Sequence, residues 1–465
     1  MKKQLFTLIC ILFVLDLSAQ VQFSDNQFYQ LVYSNHPLSK QANLKPQMGD
    51  KSILKAKGGF DPKVYNQIDQ KYFNSSQYYN LIHAGLKVPT WYGIEVKTGF
   101  ESYRGDYLNP QDKTPNGGLW YGGVAVNLGQ GLLIDQRRTE LFKARIYQQS
   151  TLSEQRMQLN ELIYESGYAY WNWFSAFYSR QVLSEAFDLS VERFNAVKLS
   201  MELGDRSAID TVEARIQVQN RESLFRNYEA ELTNSINKIS TFLWTDQNVP
   251  LELDSNTVPV NFDLGFSLDL EKGLLKIDID SALNNHPYLQ ISNFKIKSLE
   301  VDARLKREML KPQLNLQYNL LNEPINNNPI NELSINNYKW GLNFEMPIFL
   351  RKERGDLALA ELKIQDAEFN YQNNMAYVEF KIKSAAVDCK NALTQVEIYQ
   401  RTVDDSERLL DAEKQMFDNG ESSLFLINAR EIAFIQARLK LIEGIAKSQQ
   451  MWIALRFAMA SLVGN

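Results

Sequence analysis

The chain has 465 residues, 50 basic against 55 acidic side chains, and a formal net charge of −5. That balance leaves no basic footprint for nucleic acid. Its two cysteines are Cys10 and Cys389, and the first falls in a leader segment, so a mature chain can form no intramolecular disulfide.

Residues 1–19 read as a secretory signal peptide, with Lys2 and Lys3 as the basic end, Leu5 to Leu15 as the apolar stretch and Leu17-Ser18-Ala19 as the small-residue exit before Gln20. Its removal takes away two Lys and one Asp, leaving 48 basic against 54 acidic groups. The apolar stretch is too short to span a bilayer, and no other run reaches the roughly 18 apolar residues a spanning helix needs. Cys10 lies inside the stretch without the small residues that precede a lipidated cysteine.

After the leader the same skeleton appears twice. Asn35-His36-Pro37 is followed 25 residues on by Pro62, and Asn285-His286-Pro287 is followed 25 residues on by Pro312. His36 and His286 could be read as paired metal ligands. With no Cys or second His near either, they are better read as boundary residues whose chain direction the following proline fixes. Gly131-Leu132-Leu133 and Pro347-Ile348-Phe349 open matching segments, each with an arginine seven residues on, Arg138 and Arg354. Repeat one carries 34 additional residues between Pro62 and Gly131. They include Tyr65 to Gly85, whose weak alternation fits either an added strand pair or a cap.

Between each proline landmark and each matching segment the pattern has period two, the signature of strands with one apolar and one polar face. Tyr92, Ile94, Val96 and Phe100 alternate with Glu95, Lys97 and Glu101. Trp120, Val124, Val126 and Leu128 alternate with Tyr121, Gly123 and Asn127. In repeat two, Leu314, Leu316, Tyr318 and Leu320 alternate with Gln313, Asn315, Gln317 and Asn319. Tyr338, Trp340, Leu342, Phe344 and Met346 alternate with Lys339, Gly341, Asn343 and Glu345. Such strands, with Trp and Tyr near their ends, fit a water-lined transmembrane β-barrel. A soluble sheet would need a core-forming partner segment, and none of suitable size lies beside them.

The period then changes to 3.5. Tyr371, Met375, Val378, Ile382, Ala385, Cys389, Ala392, Val396, Tyr399 and Val403 alternate steps of four and three. The matching stripe in repeat one runs Leu159, Leu162, Ser166, Ala169, Trp173, Ala176, Arg180, Leu183, Phe187, Ser190, Phe194, Val197 and Met201. A sustained seven-residue repeat keeps one face against a partner helix. It predicts helices over about 136–202 and 353–418, each roughly 100 Å long at 1.5 Å per residue. Gly204 and Gly420 end them, and Ser207 and Ser423 are candidate caps of return helices over about 208–244 and 424–462. The aromatic cluster Tyr168, Tyr170, Trp171, Trp173, Phe174, Phe177 and Tyr178 is read as groove filling between helices. The resulting layout is a leader over 1–19, repeat one over 20–250 (strands about 60–130, hairpin about 136–244), a connecting segment over 251–284, and repeat two over 285–465 (strands about 313–347, hairpin about 353–462). The fold class is mainly α with a β portion: a duplicated unit of long antiparallel helical hairpins plus amphipathic strand pairs, at least two per chain and too few to close a barrel alone.

This ordered set, twice over, resembles the TolC-type outer-membrane efflux proteins across essentially the whole mature chain. The resemblance implies a homotrimer whose strands share one β-barrel in outer-membrane lipid and whose hairpins form an α-barrel in the periplasm. It also implies a periplasmic adaptor protein and an inner-membrane transporter as partners, with no cofactor and no catalysis. In that family the hairpin tips close the tunnel and meet the adaptor, and the matching positions are Gly204, Asp205, Arg206, Ser207, Gly420, Glu421, Ser422 and Ser423. Family members place acidic residues just past the tip glycine. Asp210 and Glu213 match those places in repeat one, whereas repeat two has Leu426 and Ala429. The two carboxylates either line the entrance or are solvated charges that pair with Arg206 or Arg215 at helical spacing. A different class of function, a periplasmic coiled-coil adaptor or scaffold, would carry a single hairpin flanked by compact β domains.

Overall fold

The computed structural model describes residues 21–254, 256–261, 278–323 and 334–463. The leader, half of the connecting segment and part of the loop between the strands of repeat two lie outside them. In chain order the described elements are β1 (Val21–Phe23), α1 (Asp25–Asn35), α2 (Pro37–Lys57), β2 (Lys63–Phe73), β3 (Ser76–Pro89), β4 (Ile94–Arg104), β5 (Leu119–Asn127), α3 (Gln136–Glu202), α4 (Ala208–Ser240), β6 (Thr257–Pro259), α5 (Ile279–Asn285), α6 (Pro287–Glu308), β7 (Gln313–Asn322), β8 (Tyr338–Glu345), α7 (Arg351–Asp418) and α8 (Leu424–Ala458). The 34 additional residues of repeat one thus contain a strand pair, β2 and β3.

The chain folds as two compact units, and each draws on both sequence repeats. One takes its described residues from Met1–Gln41, Gln158–Ile279 and Phe380–Asn465, the other from Ala42–Met157 and Asp280–Glu379.

The second unit holds a curled six-stranded antiparallel sheet in the order β2-β3-β4-β5-β7-β8. The strands of the two repeats join where β5 pairs with β7, Tyr121 opposite Leu321 and Val126 opposite Leu316. Because side chains alternate between faces, register decides what each face carries. One face collects Val64, Ile68, Val96, Trp120, Val124, Tyr318, Tyr338, Trp340, Leu342 and Phe344, all large apolar side chains that are exposed. The other collects Lys63, Gln67, Lys87, Glu95, Lys97, Glu101, Asn315, Gln317 and Asn319. On this polar face a row runs Tyr65, Gly85, Gly99, Tyr121 across four strands. A Cβ on Gly85 would fall 2.7 Å from the Tyr65 hydroxyl and 2.9 Å from that of Tyr121. The two rings therefore lie over the glycines and their hydroxyls meet, so the aromatics cover backbone that the glycines leave bare.

The other unit is mainly helical, with its main core at the aromatic stretch of α3 and a smaller cluster of Val197, Ala214 and Leu424 near the tips. Phe28 and Val32 of α1 pack with Leu162, Tyr170, Trp173 and Phe174 of α3, Ile239 of α4, Val396 of α7 and Ile453 of α8. Tyr170, Trp171, Trp173 and Phe174 are all buried here, and the aromatic run fills space between helices. The heptad residues Val378, Ile382, Cys389, Ala392, Val396 and Val403 of α7 are buried as well. His36 takes an extended backbone, φ −62° and ψ 135°, at the end of α1, and His286, φ −67° and ψ 120°, precedes α6. Both are pre-proline boundary residues. Among the described residues no group of His, Cys, Asp and Glu could hold a metal ion.

Candidate channel lining and helical tips

The polar face of the sheet is strongly charged, and its register stacks like charges. Lys63 lies opposite Lys87, and Lys87 lies opposite Lys97. Directly opposed like charges destabilise a sheet, so counter-charges matter here. Glu95 lies 3.5 Å from Lys97 and 3.5 Å from Arg137. The Lys87 ammonium sits over the Tyr65 ring at 4.6 Å. Further along, Glu101 is 3.7 Å from His83 Nε2 and 3.8 Å from Lys339 Nζ.

The two hairpin tips share one turn geometry. Gly204 and Gly420 take positive φ, 87° and 80°. The Asp205 N–H donates to Ser200 O at 2.9 Å and the Gly204 N–H to Met201 O at 3.0 Å. The Glu421 N–H donates to Met416 O at 2.8 Å and the Gly420 N–H to Phe417 O at 3.0 Å. This is the paired bonding that closes a helix on a left-handed glycine. Asp205, Ser207, Glu421 and Ser423 are exposed. Ser423 caps α8, its hydroxyl accepting from the Leu426 N–H at 3.4 Å. Ser422 donates to Glu413, whose other oxygen accepts from Arg430 Nε at 3.4 Å.

The acidic pair of repeat one has partners other than Arg206. Asp210 accepts from the Ser207 backbone N–H at 3.3 Å, at the start of its own helix. Glu213 accepts from Asn428 Nδ2 at 3.5 Å. The Arg206 guanidinium lies over the Phe417 ring at 5.2 Å, joining the first tip to the end of α7. At the matching steps in repeat two, Leu426 and Ala429 are exposed.

Sequence reasoning missed the charge cluster that joins the hairpins. Glu431 on α8 is buried and accepts from both terminal guanidinium nitrogens of Arg193 on α3, at 2.8 and 3.0 Å. The same Glu431 accepts from Arg221 of α4 at 2.6 Å. Arg193 also donates to Asn428 at 3.1 Å, and Asn428 is the residue that reaches Glu213. Burial holds the Arg221 guanidinium below its usual range, while the Glu431 carboxylate works to raise it. The available signal was Asn428 and Glu431 set directly after the apolar opening of α8, Leu424-Phe425-Leu426-Ile427, and before Ile432.

Long paired helices, tight glycine tips and a sheet that is apolar on one face and charged on the other are together the fold of solved outer-membrane channels. In fold the chain matches the outer membrane channel CmeC of Campylobacter jejuni, with 14% identity over 94% of this chain and 85% of that one and a TM-score of 0.64. It also matches the open-state MtrE channel of Neisseria gonorrhoeae (11% identity, 94% of this chain and 88% of that one, TM-score 0.67). A third match is VceC of Vibrio cholerae (10% identity, 94% and 96%, TM-score 0.62). No curated protein matches the sequence. Residues 279–461 match the family model described as outer membrane efflux protein. The likeness to that family lies in the second repeat in sequence, while the likeness to the solved channels extends over nearly the whole chain in fold.

Proposed function

We propose that the chain is one protomer of a homotrimeric export duct in the outer membrane, with its hairpins in the periplasm. Cargo would arrive from an inner-membrane transporter through a periplasmic adaptor that meets the tips Gly204–Ser207 and Gly420–Ser423. An outer-membrane efflux channel is a passive duct and not an enzyme. The observation that carries the reading is the sheet: exposed Val64, Ile68, Trp340, Leu342 and Phe344 on one face suit lipid, and the charged opposite face suits a water-filled bore. Assembly is supported by a second stripe on α7. Leu359, Leu362, Phe369, Phe380 and Val387 recur at heptad spacing and are 58–69% exposed, an apolar seam that a neighbouring protomer would cover. An adaptor or scaffold would need neither that sheet nor two hairpins.

In this duct Asp210 and Glu213 ring the periplasmic entrance, where carboxylates attract cations. Planar-bilayer recordings of the purified protein test this. Asp210→Ala with Glu213→Ala should lower cation selectivity and weaken block by multivalent cations while the oligomer stays intact. Unchanged selectivity would put both carboxylates outside the bore.

A further inference from the structure

The sheet has two open edges, β2 and β8. Resting on the outer-membrane reading above, these edges would lie in hydrocarbon, where unpaired backbone N–H and C=O groups are not tolerated. We propose that β8 of one copy pairs with β2 of the next in one defined antiparallel register, Lys63 opposite Glu345 and Asp69 opposite Lys339. The assembled barrel then has six strands per copy, eighteen in a trimer.

Four observations carry this. Strand directions alternate through the six strands, so β2 and β8 run oppositely and meet antiparallel in a ring of copies. Secondly, the single register that brings Lys63 to Glu345 also brings Asp69 to Lys339. Opposite charges directly across a pair of strands are favourable, and a shift by two residues would lose both pairs. Asp69 is held beside the edge by Gln67 Nε2 at 2.8 Å, and Lys339 also faces Glu101 at 3.8 Å. Thirdly, this register is flush. All eight residues of β8, Tyr338–Glu345, lie opposite Lys63–Gln70 of β2, and Val64 meets Phe344 and Ile68 meets Trp340 on the apolar face.

The fourth is barrel geometry. Crossing the sheet from Lys63, the directly paired residues are Lys87, Lys97, Gly123, Asn319 and Lys339. The proposed seam then leads to Asp69 of the next copy, six residues above the start. At about 3.3 Å per residue along a strand and about 4.8 Å between strands, six residues over six strands give a tilt of about 35°. Closed outer-membrane barrels require about 35–45°. Charge pairing and barrel tilt thus point independently to the same register.

Cross-linking in isolated outer membranes tests the seam. Cys389 is buried, so introduced thiols report alone. Oxidation of Ile68→Cys with Trp340→Cys should give reducible covalent multimers, about tenfold more than the offset pair Ile68→Cys with Phe344→Cys, since a disulfide needs Cβ atoms about 4 Å apart. A second arm avoids replacing Trp340. Lys63→Glu alone should lower the fraction of multimer that survives detergent, and adding Glu345→Lys should restore it. Multimers in the outer membrane that cross-link through the offset pair, or through neither, or a charge swap that fails to restore, overturn the seam and leave the channel reading standing. A protein recovered with the soluble periplasmic fraction overturns the channel reading itself.

Discussion

His36 shows how one side chain of the repeated Asn-His-Pro landmark is used for packing. Its ring lies between Phe242 and Trp244, centroids 5.9 and 6.0 Å away, and its Nδ1 accepts the Leu38 N–H at 3.2 Å. Burial pushes the imidazole below its usual value near 6.5. The folded state therefore binds this proton less readily than the unfolded state. His36 contributes stability above about pH 6.5 that is lost as pH falls towards its lowered folded value. Each unit of depression is worth about 1.4 kcal/mol. Thermal unfolding of detergent-solubilised protein at pH 7.5 and 5.5 should show a larger loss for the native chain than for His36→Asn, which keeps an acceptor near Nδ1 and cannot titrate there. Equal losses would mean that other groups set the acid response.

At the scale of elements, long helices are held by a heptad seam that is apolar along much of its length and by charged crossings, of which one is buried. Arg193 of α3, Arg221 of α4 and Glu431 of α8 meet where three helices pack. Removing one member of a buried ion cluster leaves uncompensated charge, at a cost of about 3–5 kcal/mol. Glu431→Ala should therefore lower the unfolding temperature markedly, because two guanidinium groups lose their carboxylate. The double variant Arg221→Met with Glu431→Leu should recover much of the loss, since apolar packing often replaces a buried pair without penalty. If Glu431→Ala unfolds at the native temperature, the cluster carries no net stability.

For the whole molecule the testable matter is orientation. The helices carry Glu379, Lys381, Lys383 and Asp388, far too many charges for hydrocarbon, and no described helix is long and apolar enough to cross a membrane. Cysteines introduced at Asp205 or Glu421 should react with an impermeant thiol reagent only from the periplasmic side, and one at Asn116 only from the cell exterior. The native chain supplies its own blank. Cys389 is fully buried, with its thiol pushed up to about 11, and should stay unlabelled. Labelling of Asn116→Cys from the periplasm would reverse the proposed topology.

Whatever depends on periodicity and punctuation was legible in the chain before it folded. Period two marked β4, β5, β7 and β8, period 3.5 marked α3 and α7, and Gly204 and Gly420 marked their ends, because a left-handed turn residue is a local requirement. The Asn-His-Pro landmarks likewise marked helix boundaries from the backbone restriction before proline alone. Whatever depends on who pairs with whom needed the folded molecule. The Tyr65–Gly85 stretch alternates too weakly to be read alone, and its one glycine, Gly85, is covered by Tyr65 and Tyr121 from other strands. Arg206 stacks on Phe417, and Glu431 gathers arginines more than two hundred residues away in the chain. Pairing of β5 with β7 joins the repeats in one sheet, so the compact units cut across the duplication that the sequence displays. Local patterns fix elements because they act through neighbouring residues. Charge clusters and strand order act through contacts between distant segments, and no period in the chain encodes them.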